Sequence, residues 1–142
     1  MKIKIKFFGQ TFGVEKIPQG DWIDLYTPRK VTLSGDRFKK IPLGVAMQLP
    51  KGYEAHVAPR GSTFRKWGII QTNGVGVVDE SYCGDNDEWF APVVVLDDKA
   101  KFIPAGTRLF QFRIMKKQPK IEFDVVQSLD NPDRGGDGST DG

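Results

Sequence analysis

The opening of the chain, Lys2-Ile3-Lys4-Ile5-Lys6-Phe7-Phe8, alternates charged and apolar residues with period two, which marks a half-buried strand that Gly9 and Gln10 can turn. Short apolar runs follow at residues 22–26, 31–33, 41–49, 53–58, 69–71, 75–79, 89–96, 108–115 and 121–126, each bounded by Gly, Pro or Asp, and each predicts a strand. Only residues 62–67, bracketed by Pro59 and Gly68, suit a helical turn. So many short strands predict an all-β fold, a jelly-roll-like sandwich with one short helix. From Leu129 onward Gly, Asp and Ser dominate, and almost no apolar side chain remains to offset the entropy of ordering the backbone. The expected organisation is therefore one β domain over residues 1–128 and a mobile arm over 129–142.

Composition narrows the picture. A chain of 142 residues fits a single domain with a sizeable core, and its 16 glycines and 9 prolines favour turns over long helices. The net charge of +3 is unevenly spread. Asp130, Asp133, Asp137 and Asp141 against Arg134 give residues 130–142 a net −3, leaving +6 on the body. A basic body suits nucleic acid or a polyphosphate, but Lys2, Lys4 and Lys6 read as the solvated face of a strand, so a polyphosphate substrate and no nucleic-acid partner is the expectation. One cysteine, Cys83, excludes an intrachain disulfide and a Cys-rich zinc site, and one histidine, His56, excludes a multi-histidine metal cluster. No apolar run approaches the length of a membrane span and the Lys-rich start lacks a signal-peptide core, so the expected location is the cytoplasm, with no membrane partner.

The densest chemistry lies in Gly76-Val77-Val78-Asp79-Glu80-Ser81-Tyr82-Cys83-Gly84, where a carboxylate stands three residues from a tyrosine in an otherwise apolar hairpin. A carboxylate held on a strand end can orient and deprotonate water, and a neighbouring ring can test the shape of a sugar. That pairing suggests nucleotide hydrolysis, although a strand-end cap and an ordinary packed tyrosine would look the same in isolation. Asn73, three residues before Gly76, is by itself a turn-forming residue before Gly74. No Gly-Lys-Ser/Thr phosphate loop is present, which excludes a P-loop ATPase.

Four further segments occur in order with that hairpin: Gly20-Asp21-Trp22-Ile23-Asp24-Leu25, Pro59-Arg60-Gly61-Ser62-Thr63 running to Lys66, Gly106-Thr107-Arg108-Leu109-Phe110-Gln111, and Arg134-Gly135-Gly136-Asp137-Gly138-Ser139-Thr140. Together the five resemble the ordered motifs of the trimeric dUTP diphosphatases, the dUTPases, and the Asp-Asn-Asp-Glu-Trp-Phe continuation resembles their bacillus and phage branch. The resemblance implies hydrolysis of dUTP to dUMP and pyrophosphate by water attack on the α-phosphorus, keeping uracil out of DNA. It implies Asp79 as the base, Tyr82 against the deoxyribose, and Asn73 on the uracil edge. It assigns the phosphates to Arg60, Gly61, Ser62, Lys66 and Gln111, joined by Arg134, Ser139 and Thr140 from the arm. Asp24 is implied to order the water shell of Mg²⁺, an ion held chiefly by phosphate oxygens. A homotrimer with sites between chains and arms crossing to a neighbour is implied as well.

Two departures from the family pattern bear on the site. Most relatives have Ser where this chain has Gly61, so the bridging contact falls to Ser62 or to the Gly61 amide. The Phe that precedes the last Gly-Ser in many relatives is replaced by Asp137, so a lid over the base is sought in Trp89-Phe90, with Phe90 as lid and Trp89 as packing. Two other readings remain: a dCTP deaminase-related enzyme, which shares the fold but typically lacks a tyrosine at the place of Tyr82, and a phage regulatory protein that binds a partner protein.

Overall fold

The computed structural model describes residues 1–34, 38–136 and 138. In chain order the elements are β1 (Lys4–Phe7), β2 (Ile23–Tyr26), β3 (Val31–Leu33), β4 (Lys39–Pro42), β5 (Val45–Gln48), β6 (Tyr53–Pro59), α1 (Thr63–Trp67), β7 (Ile69–Gln71), β8 (Gly76–Val78), β9 (Phe90–Val95), β10 (Lys101–Ile103) and β11 (Arg108–Lys116). All pairings are antiparallel. A four-stranded sheet runs β2-β11-β6-β8 and a three-stranded one β4-β9-β7, with two-stranded ladders β1-β5 and β10-β3 beside them. The all-β fold with one short helix is as the sequence predicts.

Alternation explains the packing. In β6 Ala55 and Val57 are buried while Glu54, His56 and Ala58 are half-buried on the other face, and β11 buries Phe110 and Phe112 in the same rhythm. These side chains join Leu25, Ile41, Ile69 and Trp89 in one cluster, where Trp89 meets Phe112 edge-on at 5.4 Å. Fully burying an aliphatic or Phe side chain of this kind contributes about 1.5–3 kcal/mol, so the sheets that carry the site are held by their inner faces. Outer-face positions are left open for chemistry.

Three expectations differ from the structure. The run 41–49 is two strands rather than one, because Gly44 adopts φ +76 and a Cβ there would stand 3.0 Å from Pro28 Cβ. Lys101–Ile103 forms β10 against β3, a strand too short and too polar to read from the sequence. Residues 121–126 form no strand: Ile121, Phe123, Val125 and Val126 are exposed, and the segment pairs with no strand among the described residues. After Lys116 the described chain carries no further strand, and residues 118–136 are exposed.

Candidate active site

The β8 strand ends at Val78, and Asp79 follows in a turn closed by the Tyr82 N–H donating to Asp79 O at 3.0 Å. The Asp79 carboxylate is held from two sides. Ser81 donates to Oδ2 with its backbone N–H at 2.9 Å and with its hydroxyl, while Lys117 Nζ stands 3.2 Å from Oδ1. The Ser81 hydroxyl, then the Ser81 amide, then Lys117 hold the Asp79 pKa down to about 2 from the ordinary 3.8. Lys117 also reaches Glu80 at 3.1 Å, and the two carboxylates raise its pKa. Glu80 in turn accepts from the Gly52 N–H at 2.8 Å, which together with Lys117 lowers its own pKa.

Tyr82 lays its ring against the core, and its hydroxyl donates to Glu88 O at 3.1 Å. Burial, then the charges of Asp87 and Glu88, push the phenol pKa up, so the ring is neutral at physiological pH. Glu88 is itself pinned by the Gly44 N–H at 3.0 Å and Arg29 at 3.2 Å. Asn73, Gly76, Asp79, Tyr82 and Phe90 line one cavity of about 350 Å³. Phe90 is 41% exposed with Lys40 Nζ 4.5 Å from its ring centre, whereas Trp89 is 1% exposed. Both rings line the cavity, Trp89 from within the core just before β9 and Phe90 from the exposed start of that strand.

A second cavity, of about 370 Å³, is lined by Asp24, Arg60, Gly61, Ser62 and Gln111. Asp24 is nearly buried, with Oδ1 at 3.1 Å from Arg60 Nε and Oδ2 at 3.4 Å from Arg108 Nη1. Gln111 Nε2 donates to Pro59 O at 3.2 Å, which leaves its second N–H as a donor and its Oε1 as an acceptor. Ser62 occupies the N-cap position of α1 yet makes no capping bond with its hydroxyl. The Thr63 N–H, by contrast, is already donated to Arg60 O at 3.1 Å. Arg60 and Ser62 also line an adjoining polar cavity with Lys66 and Arg108, so the three cations share one region. Among the described residues no cluster of three or more His, Cys, Asp or Glu could cage a metal.

The two cavities share no lining residue. In the sheet order β2-β11-β6-β8, Asp24 pairs with Gln111, Gln111 with Ala58, and Val78 with Ala55. Three strand spacings across and three residues along place the residue before Asp79 on the order of 17 Å from Asp24. Arg134 lies in the exposed segment after β11 and lines neither cavity, and Ser139 and Thr140 lie outside the described residues.

Comparison with known proteins resolves which family this geometry comes from, since the dUTPase family model matches residues 21–141. The chain belongs to the dUTPase family. It is 55% identical over 141 residues to the SPbeta prophage-derived deoxyuridine 5'-triphosphate nucleotidohydrolase of Bacillus subtilis, covering 99% of this chain and 98% of the relative. The deoxyuridine 5'-triphosphate nucleotidohydrolase of Finegoldia magna is 38% identical over 117 residues, covering 81% of this chain and 79% of the relative. Among solved structures the fold matches the dUTPase of Streptococcus mutans with a TM-score of 0.75 at 22% identity, covering 83% of this chain and 98% of that one. It also matches a dUTPase from phage phi11 of Staphylococcus aureus, described with a structural Mg(II) ion, at TM-score 0.71 and 15% identity, covering 91% and 99%.

Placed on this dUTPase fold, several residues gain roles that motif reading missed. Ser81 and Lys117 set the charge and aim of Asp79, Glu88 anchors Tyr82, and Arg108 shares Asp24 with Arg60. Ser81 and Arg108 sit inside the motifs and were open to notice. Glu88 stands only six residues beyond Tyr82, in the Asp-Asn-Asp-Glu-Trp-Phe continuation, whereas Lys117 is distant in sequence and the sheet register brings it in.

Proposed function

We propose that this protein is a dUTP nucleotidohydrolase that releases dUMP and pyrophosphate. The observation that carries the reading is the convergence of Asn73, Asp79, Tyr82 and Phe90 on one cavity, a set of side chains suited to a pyrimidine, a deoxyribose and an attacking water. The 55% identity over nearly the whole chain to the prophage-derived relative points the same way.

In this mechanism Asp79, fixed by Ser81 and Lys117, aims a water at the α-phosphorus. The water oxygen forms the new bond to phosphorus, the α–β bridging bond breaks, and pyrophosphate leaves with the bridging oxygen. A carboxylate with a pKa of about 2 is a weak base, so it acts chiefly by orientation and accepts proton density only as the new bond forms. Tyr82 and Phe90 bracket the sugar and base, and the Tyr82 ring leaves no space for a 2′-hydroxyl. Arg60, Ser62 and Lys66 receive the phosphates, with the Gly61 backbone beside them. Gln111 keeps one N–H and its Oε1 beyond the bond to Pro59 O, so it can donate to a phosphate oxygen or accept from water bound to a cation. Asp24 fits the same use only at a distance, since both its oxygens already face guanidinium groups. These donors fit a Mg²⁺ held by phosphate oxygens through water, not one caged by protein; when bound, the ion would neutralise charge on the phosphates.

The separation of the two cavities supports a homotrimer with sites between chains, so that Asp79 of one subunit faces Arg60 of the next. On this reading residues 129–142 are an arm separate from the β domain over 1–128, and bring Arg134, Ser139 and Thr140 to the phosphates. A cytoplasmic location in a bacterial or phage-infected cell accords with this substrate, and no helix among the described residues is long and apolar enough to cross a membrane. The test is pyrophosphate release with dUTP, dCTP, dTTP and UTP compared in parallel, Mg²⁺ present or chelated. Strong selectivity for dUTP is expected, and equal turnover of dCTP or UTP would refute the assignment.

A further inference from the structure

Gln71, at the end of β7, lies outside every motif, yet it is 5% exposed and bonded directly to the nucleoside cavity. Its Nε2 donates to two acceptors, Val57 O at 3.1 Å and Asn73 Oδ1 at 2.8 Å. Val57 O is a backbone carbonyl and can only accept. It therefore fixes which end of the Gln71 amide faces inward, and that end fixes the Asn73 amide in turn. Asn73 is left with its oxygen turned to Gln71 and its Nδ2 without a protein acceptor among the described residues. Gly76 lies directly against the pair: a Cβ there would stand in ordinary contact with both amides, 3.5 Å from Asn73 Nδ2 and 3.5 Å from Gln71 Nε2, and 3.4 Å from Val57 Cβ.

Gln71 holds this pose at a cost. Its Oε1 is buried with no hydrogen-bond partner, a loss that a leucine or methionine of similar size would avoid. A buried amide kept despite an orphaned oxygen calls for a use beyond packing. We propose that Gln71 is a specificity-determining positioning residue: it locks the Asn73 amide with its N–H₂ toward the base, so the cavity offers a donor where a 4-keto pyrimidine carries an acceptor and a 4-amino pyrimidine carries a donor. Cytosine is thereby rejected through two side chains, only one of which touches the base. The proposal deepens the dUTP-hydrolase reading and rests on it.

Polarity and size make different predictions here, because thymine shares the 4-keto group of uracil. In Gln71→Leu the Asn73 amide is free to turn its oxygen to the base. The ratio of kcat/KM for dUTP over dCTP should fall at least about tenfold, while the ratio for dUTP over dTTP stays within about twofold. In an Asn73→Ala background the same Gln71→Leu change should have no further effect on the dCTP ratio. Gln71→Met, with a similar shape and no donor, repeats the test should the leucine variant fold poorly, and a thermal melt verifies folding in each case. An unchanged dUTP-to-dCTP ratio in a folded variant overturns the proposal. So does a parallel fall in the dTTP ratio, which would mean general loosening, or an undiminished effect without Asn73. Failure of the parent protein to release pyrophosphate from dUTP would instead overturn the hydrolase reading beneath it.

Discussion

Asp79→Asn tests the reaction at its centre, and the hydrogen bonds around the carboxylate dictate what the variant does. Ser81 offers two donors to Oδ2, so the amide oxygen settles there and the amide nitrogen is forced toward Lys117 Nζ, which stood 3.2 Å from Oδ1. Two donors then face each other, and Lys117 is drawn to Glu80, already 3.1 Å away. Because the site is exposed, the thermal midpoint should change little. Turnover should fall on the order of 100-fold or more, the range for removal of a positioned acid or base. The pH profile adds a second readout. With a pKa of about 2 the native Asp79 is roughly 0.1% protonated at pH 5, where a group at 3.8 would be about 6% protonated. A carboxylate with a depressed pKa keeps its charge as pH falls, and its contribution, present above the unfolded value, is lost only through about pH 2. The acid limb of kcat/KM assigned to Asp79 should therefore lie below about pH 3, and Ser81→Ala, which removes the largest cause of the depression, should move it up. Pyrophosphate release is measured across this range with the parent as control for substrate ionisation. Asp79→Asn turnover within about threefold of the parent, or a limb unmoved by Ser81→Ala, would refute the role.

Tyr82→Ala should raise UTP hydrolysis relative to dUTP, since the ring that bars the 2′-hydroxyl is gone; an unchanged UTP-to-dUTP ratio in a folded variant removes Tyr82 from that task. Asp24→Asn should lower stability by about 1–2 kcal/mol in urea denaturation, because the nearly buried carboxylate holds Arg60 and Arg108, and should raise KM for dUTP as Arg60 loses its aim. Deleting residues 133–142 should leave the thermal midpoint nearly unchanged and cut turnover strongly, with full activity showing that the arm is dispensable.

What the sequence revealed and what it hid divide along physical lines. The alternation in β6 and β11 is local, so strand placement followed from it, and the burial of Trp89 against the exposure of Phe90 followed from the same local contrast. Gly44 hides because its effect on the run 41–49 comes from Pro28, sixteen residues earlier. The same alternation misleads at residues 121–126, where period two is present but the segment is exposed and pairs with no strand among the described residues. In the site, the family motifs pick out residues proposed to face a ligand, whereas Lys117 and Gln71 act through other residues and carry no motif. Only register joins Lys117 to Asp79, and only a backbone carbonyl from β6 gives Gln71 its polarity.

Gly61 is one of the two places where this chain departs from the family pattern, and the structure makes the consequence testable. Its φ does not lie in the left-handed region and nothing stands within 4 Å of a Cβ built on it, so neither strain nor crowding demands glycine there. The next residue, Ser62, sits at the N-cap of α1 with φ −91 and ψ −7, a helical backbone from which its hydroxyl makes no capping bond. A serine that capped the helix would contribute about 1 kcal/mol; this one does not, and its hydroxyl is left to the cavity it shares with Arg60 and Gln111. Ser62→Ala should therefore leave the thermal midpoint almost unchanged while lowering turnover at least about tenfold, the factor that losing one transition-state hydrogen bond of roughly 1.4 kcal/mol would produce. Gly61→Ser, which the open space admits, should restore part of that loss in the Ser62→Ala background by returning a hydroxyl one residue earlier. Full activity in Ser62→Ala would show that the Gly61 amide alone serves the bridging oxygen, and a lowered midpoint with normal turnover would show Ser62 to be a helix cap after all.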